Sequence, residues 1–210
     1  MNQRVPTSPI TLCGERVVRP GHICAFFDSP NEKYQTLAPY FTEGLAAGDR
    51  LLNVVDADSR TQHLRQLAEN NVPLATAMGS GQLEVLTSEE TYLKDGAEDL
   101  EGMLDLMRET LETSRREGRR VRTCGEMNWI ERSRMAGERV MEYEARVNEF
   151  VPTFDCTLLC VYDLAHTPPG LMSDILATHP FAIIKGRARP NPYFVPPQEY
   201  LGMMSTFPPI

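Results

Sequence analysis

Apolar residues in this chain fall into two kinds of block. Ile23 to Phe27, Leu51 to Val55, Leu83 to Leu86, the run opening at Val121, Thr157 to Tyr162 and Phe181 to Ile184 are short and almost continuously apolar. That is the pattern of strands covered on both faces. Between these runs the apolar positions recur every three or four residues: Tyr34, Leu37, Ala38, Phe41 and Leu45, then Leu64, Leu67 and Ala68, then Leu100, Met103, Leu104, Met107 and Leu111, then Val140, Tyr143, Val147 and Val151. Such spacing places one buried stripe on a helix. A further helix is expected near Leu171 to Ala177. Strand and helix alternate throughout, which predicts a three-layer α/β domain with a mainly parallel, twisted sheet and helices on both faces.

Local signals set the boundaries. Ser29-Pro30-Asn31-Glu32 reads as a helix start, with a Ser cap, Pro at the first helical position and Glu three residues on to complete a capping box. Gly48 closes that helix. Asp58 and Ser59 can cap the next one, which stops at Asn70-Asn71 before Pro73. Residues 1–20 are polar and Pro-containing and read as an arm with one edge strand near Arg16 to Val18. Residues 21–190 form the domain. Residues 191–210 read as an extended Pro-rich and aromatic tail packed on it, because Tyr193, Phe194 and Tyr200 are costly to leave in water.

At 210 residues the chain suits one domain with a full core. Twenty-one basic against 29 acidic residues give a net charge of -8, which argues against a nucleic-acid surface. The basic run Arg115, Arg116, Arg119, Arg120 and Arg122 straddles a helix end, where cations complement the dipole. The five cysteines include no CxxC pair, the usage of reduced, buried thiols in a cytoplasmic protein. No apolar run is long enough for a signal peptide or a membrane span.

In a parallel sheet the carboxyl ends of the strands line the ligand crevice. Here those positions are Phe27, Asp28, Asp56, Glu126, Met127, Trp129, Tyr162, Asp163 and His166, joined from the first turn by Lys33 and Tyr34. Acidic and aromatic groups with one lysine suit a small organic ligand. Structural readings stand beside the functional ones: Trp129 as core, Asp163 as a turn cap, and Glu144 as an inward carboxylate paired with Arg122 or Asn148. His22, Cys24, Cys160 and His179 make a zinc-compatible set. They lack short ligand spacing, however, so buried thiols and hydrogen-bonded histidines are the default. No G-x-S-x-G elbow is present.

The run from Ser29 to Asp56 resembles the opening of KaiC and RecA-type ATPases, with Glu43-Gly44-Leu45 as the helix-end phrase and Lys33 at the phosphate-binding lysine. Phe27 and Glu32 stand where that loop has glycines, and Tyr34 where it has a magnesium-binding hydroxyl. A degenerate phosphate loop is the implication. The longer run from Gly21 to about Phe194 more closely resembles the MEDS family, the sensory domain of methanogen and methylotroph regulators of the dichloromethane-responsive type. The phrases that carry it are His22 to Phe27, Val55-Asp56, Gly125 to Trp129, Tyr143 to Asn148, Cys160 to Asp163 and Thr178-His179-Pro180. The resemblance implies a non-enzymatic sensor of a small hydrocarbon derivative or one-carbon compound, with no cofactor. One such domain fills the chain. Output is therefore expected through a separate signalling partner, such as a histidine kinase or a DNA-binding regulator, or through homo-oligomer formation. Two other readings stay open: a nucleotide-binding or weakly active relative of the ATPases, using Lys33 and Glu126, and a metal-dependent enzyme.

Overall fold

The computed structural model describes residues 9–18, 21–93, 99–132 and 137–206. Parts of the expected arm (1–8 and 19–20), the middle of the polar loop after Trp129 (133–136) and the chain end (207–210) lie outside the described residues.

Ile10–Leu12 (β1) and Glu15–Val17 (β2) pair as an antiparallel hairpin, where the sequence predicts a single edge strand. The turn uses Cys13 and Gly14, both at positive φ, the geometry that follows the twist of the flanking strands. Ile10 and Leu12 are buried. The Thr11 N–H donates to the Glu43 carboxylate at 3.0 Å, tying the hairpin to the first helix.

Gly21–Phe27 (β3) leads into Pro30–Ala46 (α1), and all five residues of the predicted stripe are buried. Ser29 caps α1, its Oγ accepting the Glu32 N–H at 3.3 Å. The Glu32 carboxylate reaches one residue past the cap, to the N–H of Asp28 at 3.2 Å. Arg50–Val55 (β4), Arg60–Glu69 (α2), the short Leu74–Gly79 (α3) and Leu83–Thr87 (β5) follow. Ser59 precedes α2 but makes no side-chain cap; its hydroxyl points elsewhere. Next come Leu100–Arg116 (α4), Val121–Glu126 (β6), the single turn Trp129–Arg132 (α5), Gly137–Phe150 (α6), Cys156–Asp163 (β7), Met172–Thr178 (α7) and Phe181–Ile184 (β8).

The end of the described chain departs from expectation. Arg187–Pro190 (β9) returns antiparallel to β8, and Pro197–Thr206 (α8) forms where an extended tail is predicted. Pro197 occupies the first helical position, where its missing N–H is no loss. Tyr200 on α8 is buried, whereas Tyr193 is 69% exposed.

Seven strands make one sheet in the order β5-β4-β6-β7-β3-β8-β9, parallel except for β9. Successive side chains on a strand point to opposite faces, so the sheet divides two cores. Ile23, Ala25, Phe27, Val55, Leu159 and Val161 pack with α1, α2 and α3. Phe26, Val54, Leu158 and Tyr162 pack with the stripes of α4 and α6, with α7 and α8 completing that layer. The connection leaving β3 runs to the first face and that leaving its neighbour β7 to the second. Their carboxyl ends therefore diverge and open a crevice.

Below the crevice, on β6, sits the fully buried Arg122. Its Nε donates to Asp49 Oδ2 at 2.6 Å, and its Nη1 donates to Glu43 Oε2 at 2.8 Å and to the Tyr40 carbonyl at 3.1 Å. Gly44 lies against this guanidinium: a Cβ there would stand 2.8 Å from Arg122 Cδ. The Glu43-Gly44 pair is thus a seat for Arg122. Among the described residues, no helix is long and apolar enough to cross a membrane.

Candidate functional site

A cleft of about 380 Å³ opens at the carboxyl ends of β3, β6 and β7. Phe27, Pro30, Tyr34 and Val161 give it apolar wall, and Lys33, Ser59, His63, Glu126, Asn128, Asp163 and His166 supply polar groups.

Glu126, the last residue of β6, is 1% exposed and is the centre of the site. Lys33, at the first turn of α1, pairs with its Oε1. Ser59 Oγ donates to its Oε2 at 3.1 Å, and His63 Nδ1 lies 3.4 Å from its Oε1. Tyr34 OH sits 3.1 Å from the same His63 nitrogen, while Asn53 Nδ2 approaches Nε2 at 2.7 Å. With Asn53 donating to Nε2, the ring proton lies on Nδ1, shared between the Tyr34 oxygen and the Glu126 carboxylate.

Burial alone would raise the Glu126 carboxyl. The hydrogen bond from His63 and the charge of Lys33 outweigh it and hold the group at about 2. Burial likewise opposes the Lys33 ammonium, but Glu126 keeps it above its ordinary value. Tyr34 is pushed up to about 12, chiefly by burial. At neutral pH the floor is therefore an ion pair flanked by a phenol and an imidazole N–H. These are fixed hydrogen-bonding groups beneath an open space.

Of the residues expected at the crevice, Phe27, Lys33, Tyr34, Glu126, Asp163 and His166 line this cleft. Asp28 is exposed, its N–H engaged by Glu32. Asp56, following β4, is buried and accepts the Ser88 hydroxyl at 2.9 Å. Met127, Trp129 and Tyr162 lie in the core on the other face of the sheet. Trp129 stacks on Tyr92 with ring centroids 4.7 Å apart, the core reading of that residue. His63 and Gln62 are not singled out from the sequence, and Ser59 is read there only as a helix cap. The available signal was their spacing, which puts all three on one side of the start of α2.

A second polar constellation lies on the α6 face. Glu144, on α6, is completely buried and faces β3, β7 and the α7–β8 junction. His22 Nε2 is 3.1 Å from its Oε2, His179 Nε2 is 3.7 Å from the same oxygen, Cys160 Sγ is 3.7 Å away, and Tyr162 OH donates to Oε1 at 3.2 Å. Neither expected partner pairs with the carboxylate: Arg122 is on the opposite face, and Asn148 donates instead to the Glu144 carbonyl at 3.0 Å. Cys24 also stands outside this group, its thiol directed to the Phe181 carbonyl at 3.6 Å. It shares the sheet face of His22, two residues further along β3, between β7 and β8. Burial pushes the thiols of Cys24, Cys124, Cys156 and Cys160 well up, a poor setting for a thiolate nucleophile.

No curated protein matches the chain. The family model for the methanogen/methylotroph, DcmR sensory domain matches residues 21–180, the span that holds β3 to α7 and every residue of both constellations, and the chain belongs to that family, MEDS.

Proposed function

We propose that this domain is a non-enzymatic small-molecule sensor whose ligand enters the cleft above Glu126 and whose output passes to a partner protein. The observation that carries the reading is the Lys33–Glu126–His63–Tyr34 array: a buried, mutually satisfied set of donors and acceptors at the base of a cavity of ligand size. The family's description as a sensory domain supports it. The ligand class that fits is a small organic molecule with one hydrogen-bonding group, which meets the Tyr34 hydroxyl proton and the Lys33 ammonium, and an apolar body against Phe27, Pro30 and Val161. Its binding favours one arrangement of α1 and α2 over another, and a partner reads the difference.

The same geometry weighs against the nucleotide-binding reading. Lys33, the residue that would meet a phosphate, has its charge matched by Glu126, and Glu32 places a carboxylate beside the start of α1. On this reading the RecA-like and KaiC-like ancestry survives as a scaffold whose phosphate cradle has been refitted for another ligand.

Thermal unfolding with methanol, dichloromethane, acetone and propane-1,2-diol, each against Mg-ATP, tests the proposal. A ligand at a hundred times its Kd stabilises by about 2.7 kcal/mol. Stabilisation by one of the organic probes, abolished in Glu126→Gln, is the expected result. Stabilisation by Mg-ATP alone, abolished in Lys33→Met, overturns it.

A further inference from the structure

The group around Glu144 contains more hydrogen-bond acceptors than protons. Asn148 fixes the first part of this. Its Nδ2 donates to the Thr178 carbonyl at 2.6 Å and the Glu144 carbonyl at 3.0 Å, so its Oδ1 must face His22 Nδ1, 3.2 Å away, and receive that proton. His179 is set the same way, Nδ1 donating to the Ile175 carbonyl at 2.7 Å. Both rings therefore carry their proton on Nδ1 and turn an Nε2 lone pair inward.

Those two lone pairs meet Glu144 Oε2 and Cys160 Sγ. Only a thiol proton and a carboxyl proton could be shared among the four, and His179 Nε2 makes no hydrogen bond although its ring is wholly buried. An orphaned buried acceptor is costly and calls for a partner.

From this arrangement we infer that His22, Glu144, Cys160 and His179 form a closed, four-ligand site for a divalent zinc-like cation. The ligand atoms all lie within 4.8 Å of one another. Zinc ligands at 2.0 to 2.3 Å in a tetrahedron stand about 3.3 to 3.8 Å apart. The observed separations from Oε2 to His22, His179 and Cys160 are 3.1, 3.7 and 3.7 Å, and His22 to Cys160 is 3.3 Å. Nitrogen, nitrogen, sulfur and oxygen are a borderline donor set, which suits zinc over magnesium or calcium.

Charge and support agree with the geometry. Two neutral imidazoles, one thiolate and one carboxylate balance a divalent ion, so the buried centre is neutral overall. Binding releases the thiol proton and any carboxyl proton to solvent. Each histidine already has its outer partner, and Tyr162 orients the second carboxylate oxygen, the arrangement that fixes ligands around a metal. The ligands come from β3, α6, β7 and the α7–β8 junction, so the ion clamps four separate pieces of chain. With four protein ligands and no open position, the site is structural.

The site lies across the sheet from the cleft, and its test is independent of the sensor proposal. The protein, unfolded in guanidinium with chelator and refolded with or without Zn²⁺, is assayed for bound metal by mass spectrometry and for melting temperature. Refolding with Co²⁺ reads the ligands from its visible spectrum. Expected are one equivalent of zinc per chain, a higher melting temperature with zinc, and a tetrahedral cobalt spectrum with a sulfur-to-cobalt charge-transfer band. Cys160→Ser loses that band, and Cys24→Ser keeps it. Less than a tenth of an equivalent of zinc in a folded wild-type protein, or a band that depends on Cys24 and not Cys160, overturns the assignment. Because the wild-type stoichiometry and spectrum stand alone, a variant that fails to fold does not rescue it.

Discussion

Lys33 and Glu126, 93 positions apart in the chain, meet as an ion pair in which the carboxylate is almost wholly buried and the ammonium partly so. One end belongs to the first turn of α1 and the other to the end of β6, so the pair locks a helix to the centre of the sheet. Lys33→Met leaves an unpaired carboxylate at that place. The expected loss is about 3 kcal/mol in urea unfolding, at the lower end for a broken buried pair because Ser59 and His63 still donate. Lys33→Met combined with Glu126→Gln should recover part of it, and a fully additive double variant would contradict the pairing.

Acid should weaken the fold through the same carboxyl. Glu126 is held at about 2 in the folded protein, below its ordinary value of 4.5. A depressed folded-state value gives stability that is present above the unfolded value and is lost as pH falls toward the folded one. The window is therefore pH 4.5 down to about 2, and the contribution is on the order of 3 kcal/mol. Melting temperature measured against pH should fall more steeply across that window in the wild type than in Glu126→Gln. Equal slopes would place the acid sensitivity elsewhere.

Gly44 gives a steric prediction. Its α-hydrogen faces Arg122, which Asp49, Glu43 and Tyr40 hold in place, so an added methyl cannot be absorbed by a swing of that side chain. Gly44→Ala should destabilise by about 1 to 3 kcal/mol despite the better helix propensity of alanine. Gly202, in α8, has open space around the equivalent position. There the same exchange should be neutral or stabilising by up to about 1 kcal/mol. Chemical unfolding of the two variants checks the contrast.

Trp129 is the single tryptophan of the chain and is wholly buried against Tyr92, with its indole nitrogen unbonded. Its fluorescence should be blue-shifted, resistant to iodide quenching and red-shifted on unfolding. Ligands of the cleft should leave it nearly unchanged, because the indole sits in the other core.

The alternation of strands and helices, the stripes of α1 and α4 and the Ser29 cap were legible because each is written within one turn or one run of sequence. The cleft was legible where a residue ends a strand or opens the helix or turn after it, as with Phe27, Glu126 and Asp163, and with Lys33, Tyr34 and His166. His63 was not, since it reaches the site from a polar helix whose angle on the sheet no local pattern encodes. Met127, Trp129 and Tyr162 stand near strand ends too, but on the face that packs under α4 and α6. Glu144 was visible as an inward carboxylate, and His22, Cys160 and His179 as a set, but not that the carboxylate joins them in place of Cys24, because the four come from separate segments. The helix α8 was hidden by its own prolines: Pro196 and Pro197 look like breakers until the second is seen at a helix start.

The hairpin of β8 and β9 has a further consequence for how the molecule meets others. Arg187, Arg189 and Pro190 occupy the outer margin, Pro190 has no amide hydrogen to offer, and Arg189 is bound to Glu15 of the N-terminal hairpin. A charged, donor-poor border of this kind does not template another strand. Growth of the sheet through β9 is thereby disfavoured, which leaves β5 as its other edge.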